Sequence, residues 1–302
     1  YVTRRVAGFL PVLFIIVSLS FFIMRLAPGG PFDQDRALPE QVRANIEARY
    51  HLSDPLWQQY LRYLGDVLRG DLGPSFRYPD RTVNELLGLG FPVSLLLGVC
   101  AMAVALCLGG TAGVLAGVRR NSLVDYCTMS CALFGVSVPN FVLGPILMLV
   151  FALGLGWLPV AGWGTWRHLV LPSFTLGAFY AAYVARLTRA GMLEVIGQDF
   201  IRTARAKGLR EAAVVLRHAL PSAILPVVTY LGPASAAVLT GSVVVETVFS
   251  IPGIGRYFVS GALNRDYTMV LGTVVSYSVL LLCFNLVVDI LYAYLDPRVQ
   301  VE

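Results

Sequence analysis

Residues 91–118 read FPVSLLLGVCAMAVALCLGGTAGVLAGV, 28 positions without one charged side chain. A helix rises about 1.5 Å per residue and the hydrocarbon core of a bilayer is about 30 Å thick, so roughly 20 such residues cross it. Phe91–Val118 is therefore read as a membrane helix. Working outward, comparable apolar runs occur at Val6–Met24, Val124–Leu155, Leu169–Leu187, Pro221–Val245 and Thr268–Leu295. They predict an all-α membrane protein with six transmembrane helices, the third and fifth interrupted by Pro and Gly. Composition agrees: of 302 residues, 57% are hydrophobic and 14% charged, against about 25% charged in a soluble domain. A soluble enzyme, a disordered scaffold and a secreted disulfide module are excluded. The first run follows Arg4 and Arg5 but is long for a signal peptide, and Arg25-Leu26-Ala27-Pro28 is a poor cleavage site. It is read as a retained first helix, residues 1–27.

Six spans place both termini on one side, and short loops carry the basic bias of the inner face. With the N-terminus inside, the inner face holds Arg4, Arg5, Arg119, Arg120, Arg186, Arg189, Arg202, Arg205, Lys207, Arg210, Arg217 and Arg298, whereas the short outer loops hold Arg167, Arg256 and Arg265. This predicts cytoplasmic termini in a multi-pass protein surrounded by membrane lipid. The net charge of +5 is thus a topology signal, and nucleic-acid binding is excluded.

Two polar segments interrupt the pattern. Residues 28–90 hold nine acids and seven arginines. Leu38-Pro39-Glu40 leads into Val42–Glu47 as a helix start, and Trp57, Tyr60, Tyr63 and Leu64 recur at helical spacing. The segment is expected to form a periplasmic helical cap, either an ordered lid or a docking surface for a soluble partner. The remaining residues, 91–302, form a five-helix core. Within it, residues 188–220 make a basic, helical insertion, too long for a hairpin between the fourth and fifth spans. A structured inner insertion of this size implies that something on that side grips it.

That insertion contains Asp199-Phe200-Ile201-Arg202-Thr203-Ala204-Arg205-Ala206-Lys207-Gly208 and ends at His218-Ala219-Leu220-Pro221. It resembles the coupling loop of ABC importer permeases: E-A-A, three residues, Gly, nine residues, I-x-L-P. With Gly208 on the Gly, the spacing fits without a gap; Arg202 stands for the Glu and His218 for the Ile, so no role of that Glu is carried over. The literal Glu211-Ala212-Ala213 is a decoy, because Arg217 occupies the place of its Gly. Further stretches, among them Arg25–Gly29, Asp71-Leu72-Gly73, Glu246–Phe249, Pro252–Gly255 and Asn264–Tyr267, resemble the peptide/nickel permease family across the whole chain. Asn45–Leu52 and Phe91–Ser94 are more similar to its oligopeptide subunits than to its dipeptide ones.

The resemblance implies a type I ABC importer permease fold with a cytoplasmic coupling helix, in the bacterial inner membrane. It implies a heterodimer with a second permease, two ATP-binding subunits that carry ATP and Mg, a periplasmic peptide-binding protein, and a peptide substrate. This chain has no phosphate-cradling loop, since its single lysine, Lys207, precedes Gly208 outside any such motif; it is expected to hold no cofactor and to catalyse no covalent step. Arg202, Thr203, Ala204, Arg205, Ala206, Lys207 and Gly208 would seat on an ATPase, and Pro221 would restart the fifth span.

Polar and small residues inside the spans offer a weaker reading. Ser137 and Asn140 flank Val138-Pro139, and Ser235 and Ser242 lie beside Gly232-Pro233 and Gly241. They are candidates for the translocation path, with close helix packing the competing reading. Asn285 and Asp289 share a face of the last span; Asp289 is the one plausible intramembrane acid, but about two turns from Arg298 an interfacial or helix-pairing role is favoured for it. The five cysteines and three histidines lack metal-ligand spacing, so no metal site is expected. A stand-alone secondary transporter would show inverted repeats and several mid-span charges, neither of which is evident.

Overall fold

The computed structural model describes residues 2–26, 53–78 and 80–295. The expected helix start at Leu38–Glu47 lies outside them, as does the side chain of Asp289. The elements are α1 Val2–Leu26, α2 Leu56–Leu68, α3 Val83–Val118, α4 Leu123–Ser137, α5 Asn140–Leu147 (widening into a π-helix over Met148–Gly154) and α6 Trp166–Ile196. Then come α7 Asp199–Ala206, α8 Glu211–Ala213, a π-helical stretch Val214–Ala219, α9 Leu220–Ala223, α10 Leu225–Val248, α11 Ile254–Leu263 and α12 Tyr267–Leu295. Among the described residues, β structure amounts to one isolated bridge, Pro74–Thr82.

Four helices are by themselves long and apolar enough to cross a membrane: α1 over Ala7–Leu26, α3, α6, and α12 over Tyr267–Val287. Two bent pairs, Leu123–Ser137 with Asn140–Gly154 (108°) and Glu211–Ala223 with Leu225–Leu239 (54°), bring the number to as many as six. The first bend falls where the sequence placed it. Val138 is extended (φ −92°, ψ 116°), because the ring of Pro139 disfavours helical backbone in the residue before it.

The second bend falls elsewhere. α10 runs unbroken through Pro233, and the break lies at Ile224, just ahead of Leu225-Pro226, where Pro is tolerated in a first helical turn. Pro221 likewise does not begin the span but continues a helical stretch behind the π-helical turn. That widened turn relieves the clash of a Pro ring with the carbonyl four residues earlier.

The chain forms two compact units, Tyr1–Val93 with Gly253–Cys283, and Ser94–Pro252 with Phe284–Glu302. In the second, α3 and α6 approach backbone to backbone. A side chain at Gly109 would collide with Ala181 and Val184, one at Gly113 with Ala185 and Thr188, and one at Gly117 with Met192. From the other helix, Gly177 meets Ala101. Residue numbers rise together along both helices, so α3 and α6 run parallel. Small residues every fourth position permit this approach where lipid supplies no hydrophobic drive. α4 runs antiparallel to α6, since Asp125 meets Arg189 near one end while Gly135 meets Ala178 near the middle. α10 is also antiparallel to α6, starting beside Gly191–Ala223.

In the first unit, Val83, Leu86, Leu87, Ile254 and Met269 form a buried core. Asp266, 1% exposed, accepts hydrogen bonds from the Ser75 hydroxyl (2.5 Å), the Arg77 amide (3.2 Å) and the Met269 amide (3.1 Å). It caps α12 and fastens the 71–77 segment to it. The helix expected from Trp57, Tyr60, Tyr63 and Leu64 is α2: Tyr60 and Tyr63 pack on Phe21 of α1 at 5.4 and 5.5 Å between ring centroids.

Candidate functional site: a basic connector helix

The connector between α6 and α10 is built from a short amphipathic helix. Along α7, Ile201 and Ala204 are three apart and therefore share a face. Both are buried, against Met192 and Val195 of α6 and Val214, Val215, Ala219 and Ala223 of the returning stretch. The opposite face is open: Phe200, Arg202, Thr203, Arg205, Ala206, Lys207 and Gly208 are all exposed. Ala204 thus anchors the helix, while the other expected contact residues point outward. Pro221 is exposed on the return leg. Thr203 donates its hydroxyl to the Asp199 carbonyl at 2.9 Å, and Arg202 reaches the Asp199 carboxylate at 3.2 Å. Both partners of the latter pair are solvated, so it adds little rigidity.

Gly208 ends α7 with φ +75°, the left-handed conformation that closes helices and that side-chain-bearing residues adopt at a cost. Its amide donates to the Arg205 carbonyl at 2.9 Å. Among the described residues nothing lies within 4 Å of where a Cβ would stand, so glycine is required by backbone conformation rather than by crowding.

Across that turn Arg205 meets Glu211. Nε donates to Oε2 at 3.1 Å and a terminal nitrogen donates to Oε1 at 2.6 Å. The Arg205 guanidinium holds the Glu211 carboxyl below its usual range, and Glu211 in turn raises Arg205, chiefly through these hydrogen bonds. The Glu-Ala-Ala set aside as a decoy supplies the acid that clamps the loop. Its signal was present as an Arg/Glu pair flanking a glycine turn.

The same end of the unit carries a second clamp. Asp125, 2% exposed, accepts from Arg189 Nε at 2.6 Å and a terminal nitrogen at 2.8 Å, and from the Asn121 amide at 3.0 Å. It ties the start of α4 to α6. In the sequence Arg189 is legible only as one of the inner-face basic residues.

The four path candidates are dispersed. Ser137 is exposed and bonds the Leu133 carbonyl of its own helix at 2.9 Å. Asn140 opens α5 just past the bend. Ser235 borders an apolar groove of about 300 Å³ together with Gly98, Met102, Leu239 and Phe284. Ser242 is buried and donates to Glu246 at 2.7 Å. Glu246 itself was read only as part of a motif. It is fully buried in α10 and accepts a second hydroxyl, from Ser94 of α3, at 2.7 Å. A lone acid in an apolar run is the signal that finds it; Asp289 is therefore not the only such acid.

Comparison with known proteins fixes the context. The family described as binding-protein-dependent transport system inner membrane component matches residues 109–301, which contain the connector, both clamps and Glu246. The chain belongs to this family. Its members are membrane components of binding-protein-dependent transport systems. The chain is similar to the oligopeptide transport system permease protein OppB of Haemophilus influenzae (51% identity over 302 residues, 99% of each chain) and of Escherichia coli K12 (49%, 99% of each). It is also similar to the dipeptide transport system permease protein DppB of Bacillus subtilis (44%, 100% of this chain and 98% of that one). Among solved structures, the MetNI methionine ABC transporter in inward-facing conformations matches with a TM-score of 0.59 and 19% identity, over 70% of this chain and 96% of that one. The fold is thus that of an ABC importer permease.

Proposed function

We propose that this chain is the non-catalytic permease subunit of an ATP-driven importer that carries oligopeptides across the bacterial inner membrane. The observation that carries the reading is the connector: a basic, outward-facing helix and turn, fixed by Ile201 and Ala204 to both α6 and the stretch leading into α10. Such a helix transmits a push only if it is clamped to the spans it moves, and this one is. Phe200, Leu209 and Leu216 stand exposed among its arginines, giving an apolar contact ringed by charge that steers an acidic partner. That partner is one of two ATP-binding subunits, which hold ATP and Mg; a second permease completes the pathway, and a periplasmic peptide-binding protein delivers the peptide.

Both termini lie in the cytoplasm in a six-span arrangement. The parallel course of α3 and α6 supports it, since the chain between them must return across the membrane, and the bent α4–α5 pair is the apolar segment available. In this arrangement residues 1–27 form the first span, 28–90 the periplasmic cap and 91–302 the core with its coupling loop at 188–220. The energy for alternating access comes from differential affinity of the nucleotide-bound subunits for two positions of the connector. Identity to OppB proteins of 49–51% against 44% to a DppB protein favours oligopeptides over dipeptides.

Gentle detergent extraction of the tagged chain, with mass spectrometry of what is retained, tests the assembly; peptide-stimulated ATP hydrolysis with the binding protein tests the substrate. Recovery of a second permease and ATPases is the expected result. Recovery of the chain alone at every detergent strength would overturn it in favour of a stand-alone transporter, and stimulation by dipeptides but not longer peptides would make dipeptides the substrate.

A further inference from the structure

The last turn of α1 in the chain's first unit holds a cation with no carboxylate partner among the described residues. Arg25 lies in the last turn of α1, about 30 Å along a 20-residue apolar span. That depth is the boundary between acyl chains and head groups. Its guanidinium packs over the Phe21 ring at 5.6 Å and the Tyr267 ring at 5.5 Å. Its Nε is buried and makes no hydrogen bond, and among the described residues it forms no ion pair.

Arg25 opens onto a cavity of about 200 Å³ between α1, α2, the 71–76 segment and the start of α12. Tyr63 lines the same cavity, its hydroxyl also buried and without a hydrogen-bond partner among the described residues. Burial pushes the Tyr63 phenol well above its usual range, so it stands there as a donor. Orphaned buried donors are rare in native proteins because each forfeits a hydrogen bond. Two of them converging on one cavity, one cationic, describe an anion site.

The remaining charges of the cavity set the rest of the ligand. Asp66 and Asp71 line it; the Asp71 carboxylate accepts from the Gly73 amide at 2.8 Å, whereas Asp66 makes no ion pair among the described residues. Arg62 also lines it but is engaged with Asp54 at 3.0 Å. Neither acid reaches Arg25, so positive and negative ends are held apart. Outside the cavity, α1 presents Phe14, Ile15, Leu19, Ile23 and Leu26 as exposed apolar side chains, a surface for acyl chains.

We propose that this cavity binds the head group of a zwitterionic aminophospholipid, its phosphate on Arg25 and the Tyr63 hydroxyl, its ammonium towards Asp66, and its acyl chains along α1. The lipid would pin α1 to α2 and the start of α12.

The test uses the chain with its co-purifying subunits, stripped of lipid in detergent and titrated with dioctanoyl phosphatidylethanolamine, dioctanoyl phosphatidylglycerol or free O-phosphoethanolamine while the melting temperature is followed. The ethanolamine lipid raises it, the glycerol lipid does so less, and the free head group does so only at far higher concentration. Tyr63→Phe removes a hydroxyl that has no partner among the described residues, so it leaves the lipid-free melting temperature unchanged and shifts the lipid titration about tenfold, the size of one lost hydrogen bond to a charged group. Arg25→Gln abolishes the response, and Asp66→Asn lowers the ethanolamine lipid to the glycerol lipid's level. Equal titrations in wild type and Tyr63→Phe overturn the site. Equal responses to the two lipids overturn the zwitterion, equal potency of the free head group overturns the lipid, and displacement of the lipid by an oligopeptide assigns the cavity to substrate.

Discussion

Arg205 and Glu211 grip each other through two hydrogen bonds, 3.1 and 2.6 Å long, across the turn at Gly208. The pair joins the exposed helix α7 to the leg that returns to α10. Glu211→Ala frees Arg205 and loosens the turn. Both side chains are about half exposed, so global stability changes little, but hydrogen exchange across residues 205–212 speeds up and transport falls several-fold. The charge-swapped double variant Arg205→Glu/Glu211→Arg restores slow exchange without restoring transport, because the outer face has changed sign.

The same pair gives the connector a pH dependence with a defined sign. Arg205 lowers the folded-state pKa of Glu211, so the stabilisation is fully present above the ordinary carboxylate value of about 4.3 and is lost as pH falls through the lowered one. Exchange in the loop is therefore flat across neutral pH and accelerates only at strongly acid pH. A change between pH 6 and 8 would point to a different group.

Gly208→Val places a β-branched residue at φ +75°, costing on the order of 1–3 kcal/mol locally. Membrane insertion and subunit expression persist while uptake drops at least tenfold. Gly208→Asn, which tolerates this conformation, retains most uptake because open space surrounds the position. Parallel loss in both variants would show that steric fit to a partner, not backbone conformation, requires the glycine.

Gly113 and Gly110 lie three residues apart on α3, yet only Gly113 is in close contact with α6. A Cβ at Gly113 would stand 2.5 Å from the Ala185 carbonyl oxygen and from Thr188 Cβ, whereas at Gly110 nothing lies within 4 Å. Gly113→Leu forces α3 and α6 apart and lowers the detergent melting temperature by several degrees, consistent with the roughly 1–3 kcal/mol of an overpacked core. Gly110→Leu leaves it unchanged within the chain.

Glu246 accepts hydroxyls from Ser94 and Ser242 in a fully buried site. Glu246→Ala deprives both of that acceptor, costing about 1–3 kcal/mol, and loosens α10 against α3. Glu246→Gln keeps an acceptor and loses much less. Comparing the two by thermal unfolding in detergent distinguishes hydrogen bonding from charge.

The long apolar helices and the short helix ending at Gly208 were legible because apolar runs and the spacing from Thr203 to Gly208 are local patterns. Contacts between distant segments were not. Asp71-Leu72-Gly73 and Asn264–Tyr267 were noticed as separate stretches, yet nothing local says that Ser75 closes on Asp266, 191 residues away. The break at Ile224 was misplaced to Gly232-Pro233 because packing decides which proline interrupts a helix. Glu211 was dismissed because a motif template took precedence over the salt bridge its charge was free to make. Ser235 and Ser242 share a helix but not an environment, one bordering a groove and the other buried with Glu246, a difference set by helix rotation.

The buried face of α7 touches Met192 and Val195 on one side and Val214, Val215, Ala219 and Ala223 on the other. A load on this helix is consequently shared between two spans that run in opposite directions. Both helices meet α7 at the same end, so any displacement of α7 acts on the two together. α3, packed on α6 through Gly109, Gly113 and Gly117, shares that support.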